Sequence, residues 1–138
     1  MGFHGGCRNV TMQNSTLWAD VAHPIFIGLH GDVERNEVME NLTYRNIDIL
    51  DHREMQVDYQ GCLAINAGDN NLVRNVRFEN IRIENFRQGQ LVNLRIFYNK
   101  KYCKAPGRGI ENVLFKDITY NGDHAELSHI VGYDKDGW

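Results

Sequence analysis

Asparagine recurs through this chain with a period, and that period constrains the fold more than any other feature. Asn9, Asn41, Asn75 and Asn112 each open a similar segment, and a second turn-forming residue follows five positions later in each, at Asn14, Asn46, Asn80 and Asp117. Both series are spaced by 32, 34 and 37 residues, so the four segments align without gaps. A fixed period of this size marks a chain of stacked supersecondary units, because one unit cannot bury its apolar face alone.

Within each unit the residues alternate between apolar and variable on both sides of the second turn residue. One repeat reads Leu42, Tyr44, Asn46, Ile47, Ile49, and the next reads Val76, Phe78, Asn80, Ile81, Ile83. Period two on both sides of a single Asn or Asp predicts two short strands with a sharp bend between them. Asn suits such a bend because it tolerates left-handed backbone and its amide can bond nearby groups. Stacked turn upon turn, Asn14, Asn46, Asn80 and Asp117 are expected to form one ladder of side-chain hydrogen bonds, and Asn9, Asn41, Asn75 and Asn112 a second. A further strand recurs at Ile25-Phe26-Ile27-Gly28, Leu63-Ala64-Ile65-Asn66, Leu91-Val92-Asn93-Leu94-Arg95-Ile96 and His129-Ile130-Val131-Gly132.

These units carry no helical pattern, so the expected class is all-β, a parallel β-helix or β-solenoid of about four coils. Residues 1–138 then form a single domain. An antiparallel sandwich also has many short strands, but its turns need not repeat the same residues every 32 to 37 positions. At about 4.8 Å per coil, four coils make a stub roughly 19 Å long. Open end coils present unpaired backbone and apolar surface. The chain is therefore expected to be the C-terminal coils of a longer solenoid, or to stack end to end as a homo-oligomer. Residues 123–138, with Tyr133 and Trp138, are expected to cover part of the lower end.

Composition removes several function classes. There are 15 basic and 18 acidic residues, a net charge of -3, and the basic ones are scattered, so no nucleic-acid partner is expected. The longest apolar runs, such as residues 22–29, fall far short of the roughly 20 residues of a membrane-spanning helix, and no membrane partner is expected. No basic-then-apolar export signal is visible. Cys7, Cys62 and Cys103 form no CxxC pair and are read as free, buried thiols. Asn9-Val10-Thr11, Asn14-Ser15-Thr16 and Asn41-Leu42-Thr43 match glycosylation sequons, but their asparagines are the proposed ladder positions and are read as structural.

The segments Asn41-Leu42-Thr43-Tyr44-Arg45-Asn46-Ile47 and Glu111-Asn112-Val113-Leu114-Phe115-Lys116-Asp117-Ile118 resemble coil repeats of the polygalacturonase-like glycoside hydrolases of family 28. These are right-handed parallel β-helices of the pectin lyase-like superfamily. Ala22-His23-Pro24-Ile25-Phe26-Ile27-Gly28 is similar to the family's Gly-His-Gly and Ile-x-Ile-Gly stretch, and Gln60-Gly61-Cys62-Leu63-Ala64-Ile65-Asn66-Ala67-Gly68 to its Asp-Asp-Cys-Val-Ala-Ile-Asn-x-Gly strand. The likeness covers nearly the whole chain as a coil pattern and only part of it as a catalytic signature. No Asn-Thr-Asp segment is present, Gln60-Gly61 stands where the family has Asp-Asp, and Ala22 and Pro24 replace the glycines beside the histidine. The two motif-like strands also occur in the reverse of the family's order.

Three clusters carry candidate chemistry. The densest runs from Trp18 through Asp20 and His23 to His30, Asp32 and Glu34. An Asp three residues before a His, just ahead of a strand, can place a carboxylate near an imidazole for acid–base work. Asp20 is thus the candidate catalytic carboxylate and His23 its partner, the latter also by the resemblance. The second cluster, Asp51-His52-Arg53-Glu54 with Asp58 and Tyr59, lies in the longest insertion between strands. Loops on a rigid solenoid commonly wall its binding groove. Carboxylates together with Tyr59 and Trp18 suit sugar recognition, since hydroxyls need directional partners and apolar sugar faces stack on aromatic rings. In the third, Arg95 leads into a basic, aromatic loop containing Lys101, a pairing suited to uronic-acid carboxylates. Trp18, His30, Asp58, Tyr59, Arg95 and Lys101 are accordingly the candidate substrate-binding residues. His30, Asp32 and His52 are a weaker metal alternative whose spacing is not diagnostic. No metal or cofactor is expected.

The resemblance implies inverting hydrolysis of a pectin-type polysaccharide, endo-polygalacturonase-like, in an extracellular or periplasmic setting and without a cofactor. The expected partner is a polysaccharide or oligosaccharide. The missing aspartates support a second class, a non-catalytic carbohydrate-binding or structural β-solenoid module. A calcium-dependent lyase on the same scaffold would want carboxylates clustered on one strand column, and none is found.

Overall fold

A computed structural model of the chain describes residues 2–3 and 6–135, with side chains from residue 6 onward. Trp138, expected to cover the lower end, lies outside the described residues. Nine strands occur in chain order among the described residues: β1 Gly2–Phe3, β2 Cys7–Trp18, β3 Ile25–Ile27, β4 Val38–Asp51, β5 Leu63–Ala67, β6 Leu72–Glu84, β7 Val92–Ile96, β8 Gly109–Asn121 and β9 His129–Val131. The only helical element among the described residues is a single 3-10 turn, Val57–Tyr59. Odd-numbered strands make a five-stranded sheet in the order β1-β3-β5-β7-β9, and even-numbered strands a four-stranded sheet in the order β2-β4-β6-β8. Every pairing in both sheets is parallel. Each turn of chain adds one strand to each sheet, so the molecule is a parallel β-solenoid of about four coils.

The long even-numbered strands are each bent twice, where the sequence pattern suggested one bend. Asn9, Asn41, Asn75 and Asn112 have φ between 52° and 58°, and Asn14, Asn46, Asn80 and Asp117 between 50° and 55°. A residue with a branched or bulky side chain resists this left-handed geometry, whereas Asn and Asp accept it. The bends fall at the same rung of each coil and leave the register intact, pairing Val10 with Leu42, Val76 and Val113 in succession.

Because pairing is in register, like side chains stack along the solenoid axis. Met12, Tyr44, Phe78 and Phe115 form one inward column, with Phe78 sandwiched between Tyr44 at 5.2 Å and Phe115 at 5.1 Å, its ring nearly parallel to both. Leu17, Ile49, Ile83 and Tyr120 form another. Burial is complete on the middle coils and partial on the outer ones, as expected of a stack with two ends.

The ladders form through the side-chain amides. Asn41 donates to Asn9 at 3.0 Å, Asn75 to Asn41 at 3.1 Å and Asn112 to Asn75 at 2.7 Å. In the second ladder Asn46 donates to Asn14 at 2.7 Å and Asn80 to Asn46 at 3.4 Å. Each amide thus donates toward the N-terminal coil. Asp117 keeps the bend, but its carboxylate has no N–H to pass on, so this ladder is carried by its three asparagines. The three sequon asparagines are all ladder members.

The odd-numbered strands are short and connected by long loops. Leu63, Ile65 and Ala67 of β5 face the core, while Ala64 and Asn66 on the opposite face are also buried. That outer face is covered by the segment that follows β4, whose Gly61 approaches so closely that a Cβ would lie 3.1 Å from the Ala64 Cβ. The same glycine lies as close to Asn93 of β7, and beyond this cover, around Arg95, the outer face borders a groove.

Candidate functional site

The groove has a volume of about 530 Å³ and runs over the outer face of the odd-numbered sheet. Leu29 and His30 come from the loop after β3, residues 56–59 from the segment after β4, Arg95 from β7, and Phe97, Tyr98, Asn99 and Tyr102 from the loop after β7. Successive coils therefore each supply one loop to the same side of the stack. Four of the candidate residues, His30, Asp58, Tyr59 and Arg95, meet here although the sequence separates the outermost by 65 positions.

Tyr59 forms one wall and is braced from behind. The His23 ring packs edge-on against Tyr59 at 4.6 Å and stacks on Phe26 at 4.5 Å, and its Nε2 bonds the Tyr59 carbonyl. Burial lowers the His23 pKa to about 4, so the ring is neutral at physiological pH and Nε2–H is the donor. Phe97 faces Tyr59 at 6.4 Å, and on the far side Tyr98 is supported by Tyr133 at 5.7 Å. Burial also raises the Tyr59 hydroxyl above its ordinary pKa, keeping it a neutral donor.

The floor is polar and charged. The Arg95 side chain is only 9% exposed, and its guanidinium meets the Asp58 carboxylate at 2.6 Å. Asp58 is 74% exposed, so the solvent side of this pair is open. Asn66 pairs with Arg95 across β5 and β7 and lies on the same outer face. Its amide is fully buried, and neither its nitrogen nor its oxygen has a hydrogen-bond partner among the described residues. Asn93, the next outward position on β7, donates to the Gln60 carbonyl at 2.8 Å and pins the covering segment down.

Asp20, Trp18 and Lys101 lie outside the groove. The Asp20 carboxylate is 83% exposed and is held by Arg87 at 2.8 Å, the guanidinium also gripping Asp51. Asp20 and His23 thus do not form the acid–base pair their spacing suggested: one bonds Arg87 and the other the Tyr59 backbone. Trp18 is 71% exposed at the end of β2, beside Asp51 of the next coil. Lys101 sits over the ring of groove-lining Tyr102, 5.0 Å from its centre, and reaches the groove only through that ring.

The metal alternative of His30, Asp32 and His52 does not assemble. His52 is fully buried with Nδ1 donating to the Ala22 carbonyl at 2.8 Å and Nε2 accepting from the Gly61 N–H at 3.2 Å, so both ring nitrogens are occupied structurally. Burial lowers its pKa as well. Asp32 pairs with Arg35.

His30 instead approaches two residues that sequence reasoning missed. Asp69, in the turn after β5, and Cys103, in the loop after β7, lie behind it. Asn71 ties the His30 loop to the turn that carries Asp69, its amide donating to the Gly28 and His30 carbonyls at 2.8 and 3.0 Å. Nothing in the sequence spacing of Asp69 and Cys103 ties them to His30.

A scan against protein-family models and searches of curated proteins and solved structures return no match for this chain.

Proposed function

We propose that this β-solenoid binds an acidic oligosaccharide of the uronic-acid type in the groove over its odd-numbered sheet. The observation that carries the reading is Arg95, a largely buried guanidinium on the floor of an aromatic-walled groove, countered by an exposed carboxylate that can be exchanged. A sugar carboxylate can take the place of Asp58 in a bidentate pair with Arg95, at little cost in new desolvation because the guanidinium is already out of water. Tyr59, Phe97, Tyr98 and Tyr102 offer faces for the apolar side of sugar rings, and Gln56 and Asn99 offer amide donors and acceptors to hydroxyls. The pectin-like nature of the ligand rests on the coil resemblance.

Binding is favoured over hydrolysis by the carboxylates present. An inverting glycosidase needs two carboxyl groups about 6.5–9.5 Å apart across the scissile bond. Asp58 is the one carboxylate lining the groove among the described residues, so the second carboxyl group that mechanism needs is wanting there.

Calorimetric titration with oligogalacturonate and with an uncharged oligosaccharide of equal length tests this reading. The charged ligand should bind more tightly, and Arg95→Gln should weaken it about tenfold or more, the loss of one charge-assisted contact. Asp58→Asn, which removes the internal competitor, should tighten it. Equal affinity for both ligands, or binding unchanged in Arg95→Gln, contradicts the reading. Release of reducing ends would favour the hydrolase instead.

A further inference from the structure

We propose that His30, Asp69 and Cys103 form a binding site for a divalent transition-metal ion of the zinc class, at the corner shared by three successive coils. One ligand comes from the connection after each of β3, β5 and β7, and the three candidate ligand atoms all lie within 4.8 Å of one another. His30 Nδ1 is 3.8 Å from the nearer Asp69 carboxylate oxygen. Tetrahedral zinc, with bonds of about 2.0–2.3 Å, sets its ligand atoms roughly 3.3–3.8 Å apart. Small side-chain rotations close the set.

The donor types select the ion. One imidazole nitrogen, one carboxylate oxygen and one sulfur suit zinc and its neighbours, whereas calcium and magnesium demand oxygen ligands throughout. Coordination replaces the thiol proton of Cys103, which passes to solvent as the metal–sulfur bond forms.

The surroundings hold the ligands as a built site requires. Asp69 accepts from the Lys104 backbone N–H at 2.7 Å and the Gly31 N–H at 3.3 Å, which fixes its carboxylate. Its own φ of 48° belongs to the tight turn that aims it inward. Cys103 is placed by the turn closed on the Asn99 carbonyl at 2.8 Å. Gly68 leaves the space: a Cβ there would lie 2.5 Å from the Leu29 carbonyl oxygen and 3.1 Å from the sulfur. The same trio could be read as a cysteine nucleophile with its base. However, Cys103 is buried behind His30 and does not line the groove, so its sulfur cannot reach a groove substrate. A metal ligand belongs in that buried position. His30 does line the groove, so the ion's open position faces it, where water or a ligand oxygen completes the coordination.

This site replaces the expectation of no metal and does not depend on the sugar reading, since its test uses the metal alone. The full chain, stripped with chelator, is titrated with cobalt(II) and then zinc(II). One cobalt per chain should bind, giving near-ultraviolet thiolate-to-cobalt charge transfer and the intense visible bands of four-coordination, both displaced by zinc. Cys103→Ser should abolish the charge-transfer band, whereas Cys62→Ser should keep it. Asp69→Asn, which retains an acceptor for Lys104 and tolerates the left-handed turn, should bind at least about tenfold more weakly with metal-free thermal stability preserved. The absence of stoichiometric uptake, a band that survives Cys103→Ser, or full affinity in Asp69→Asn overturns the proposal.

Discussion

The two sheets of this solenoid are built from the same repeats and have opposite characters. The even-numbered sheet has strands of 12 to 14 residues, bends at equivalent Asn or Asp positions, stacks Tyr44, Phe78 and Phe115 on one another, and bonds Asn to Asn from coil to coil. The odd-numbered sheet has strands of two to five residues, and its loops differ from coil to coil. On the first, every coil answers the same packing problem, so like residues recur. On the second, each loop is released from the period and can supply a different side chain to one groove. The repeat sets the 4.8 Å spacing at which those loops are delivered. The regular side holds the fold, and the irregular side carries the candidate chemistry.

That division is broken most forcefully through the aromatic column. Phe78→Ala removes a fully buried ring that is flanked on both sides by other rings, and should cost about 3–5 kcal/mol in denaturant unfolding. The same variant, while folded, should keep its affinity for oligogalacturonate. A loss below 1 kcal/mol, on the order of a surface change, would mean the regular sheet does not bear the stability assigned to it.

A smaller effect comes from the groove's supporting histidine. His23 titrates at 6.5 when exposed and at about 4 in the fold, where burial dominates and neighbouring His52 and Glu54 act in opposite senses. The unfolded chain then binds more protons between those values. Stability is fully present above pH 6.5 and falls as pH drops toward 4, by up to about 1.4 kcal/mol per pH unit from this residue. His52, also lowered, acts with the same sign. His23→Gln retains a donor for the Tyr59 carbonyl without titrating, and should flatten the pH dependence of the unfolding midpoint over this window. An unchanged slope contradicts the placement of His23 behind the groove wall.

The fold was legible because a solenoid writes its geometry into sequence one coil at a time. Asn46 and Asn80 mark the same corner, and the alternation around them marks which residues face inward. The second bend was harder to see: Asn41 and Asn75 begin the recognisable pattern, so the segment before each carried no alternation to reveal a turn. The groove was half legible. His30, Asp58, Tyr59 and Arg95 were chosen for their chemistry, and stacking brought them together. Asp20 and His23 misled because closeness in sequence suggested a pair, while Arg87, 67 residues beyond Asp20, claims its carboxylate. Asp69 and Cys103 could not be linked to His30 at all, since their proximity depends on how far each irregular loop folds back.

Backbone NMR chemical-shift mapping with a short oligogalacturonate tests the division most directly. The account predicts saturable shifts at residues 29–30, 56–59 and 95–102, with residues 39–49 and 73–83 unmoved. Shifts centred on the asparagine ladders, or spread evenly over both sheets, would contradict it.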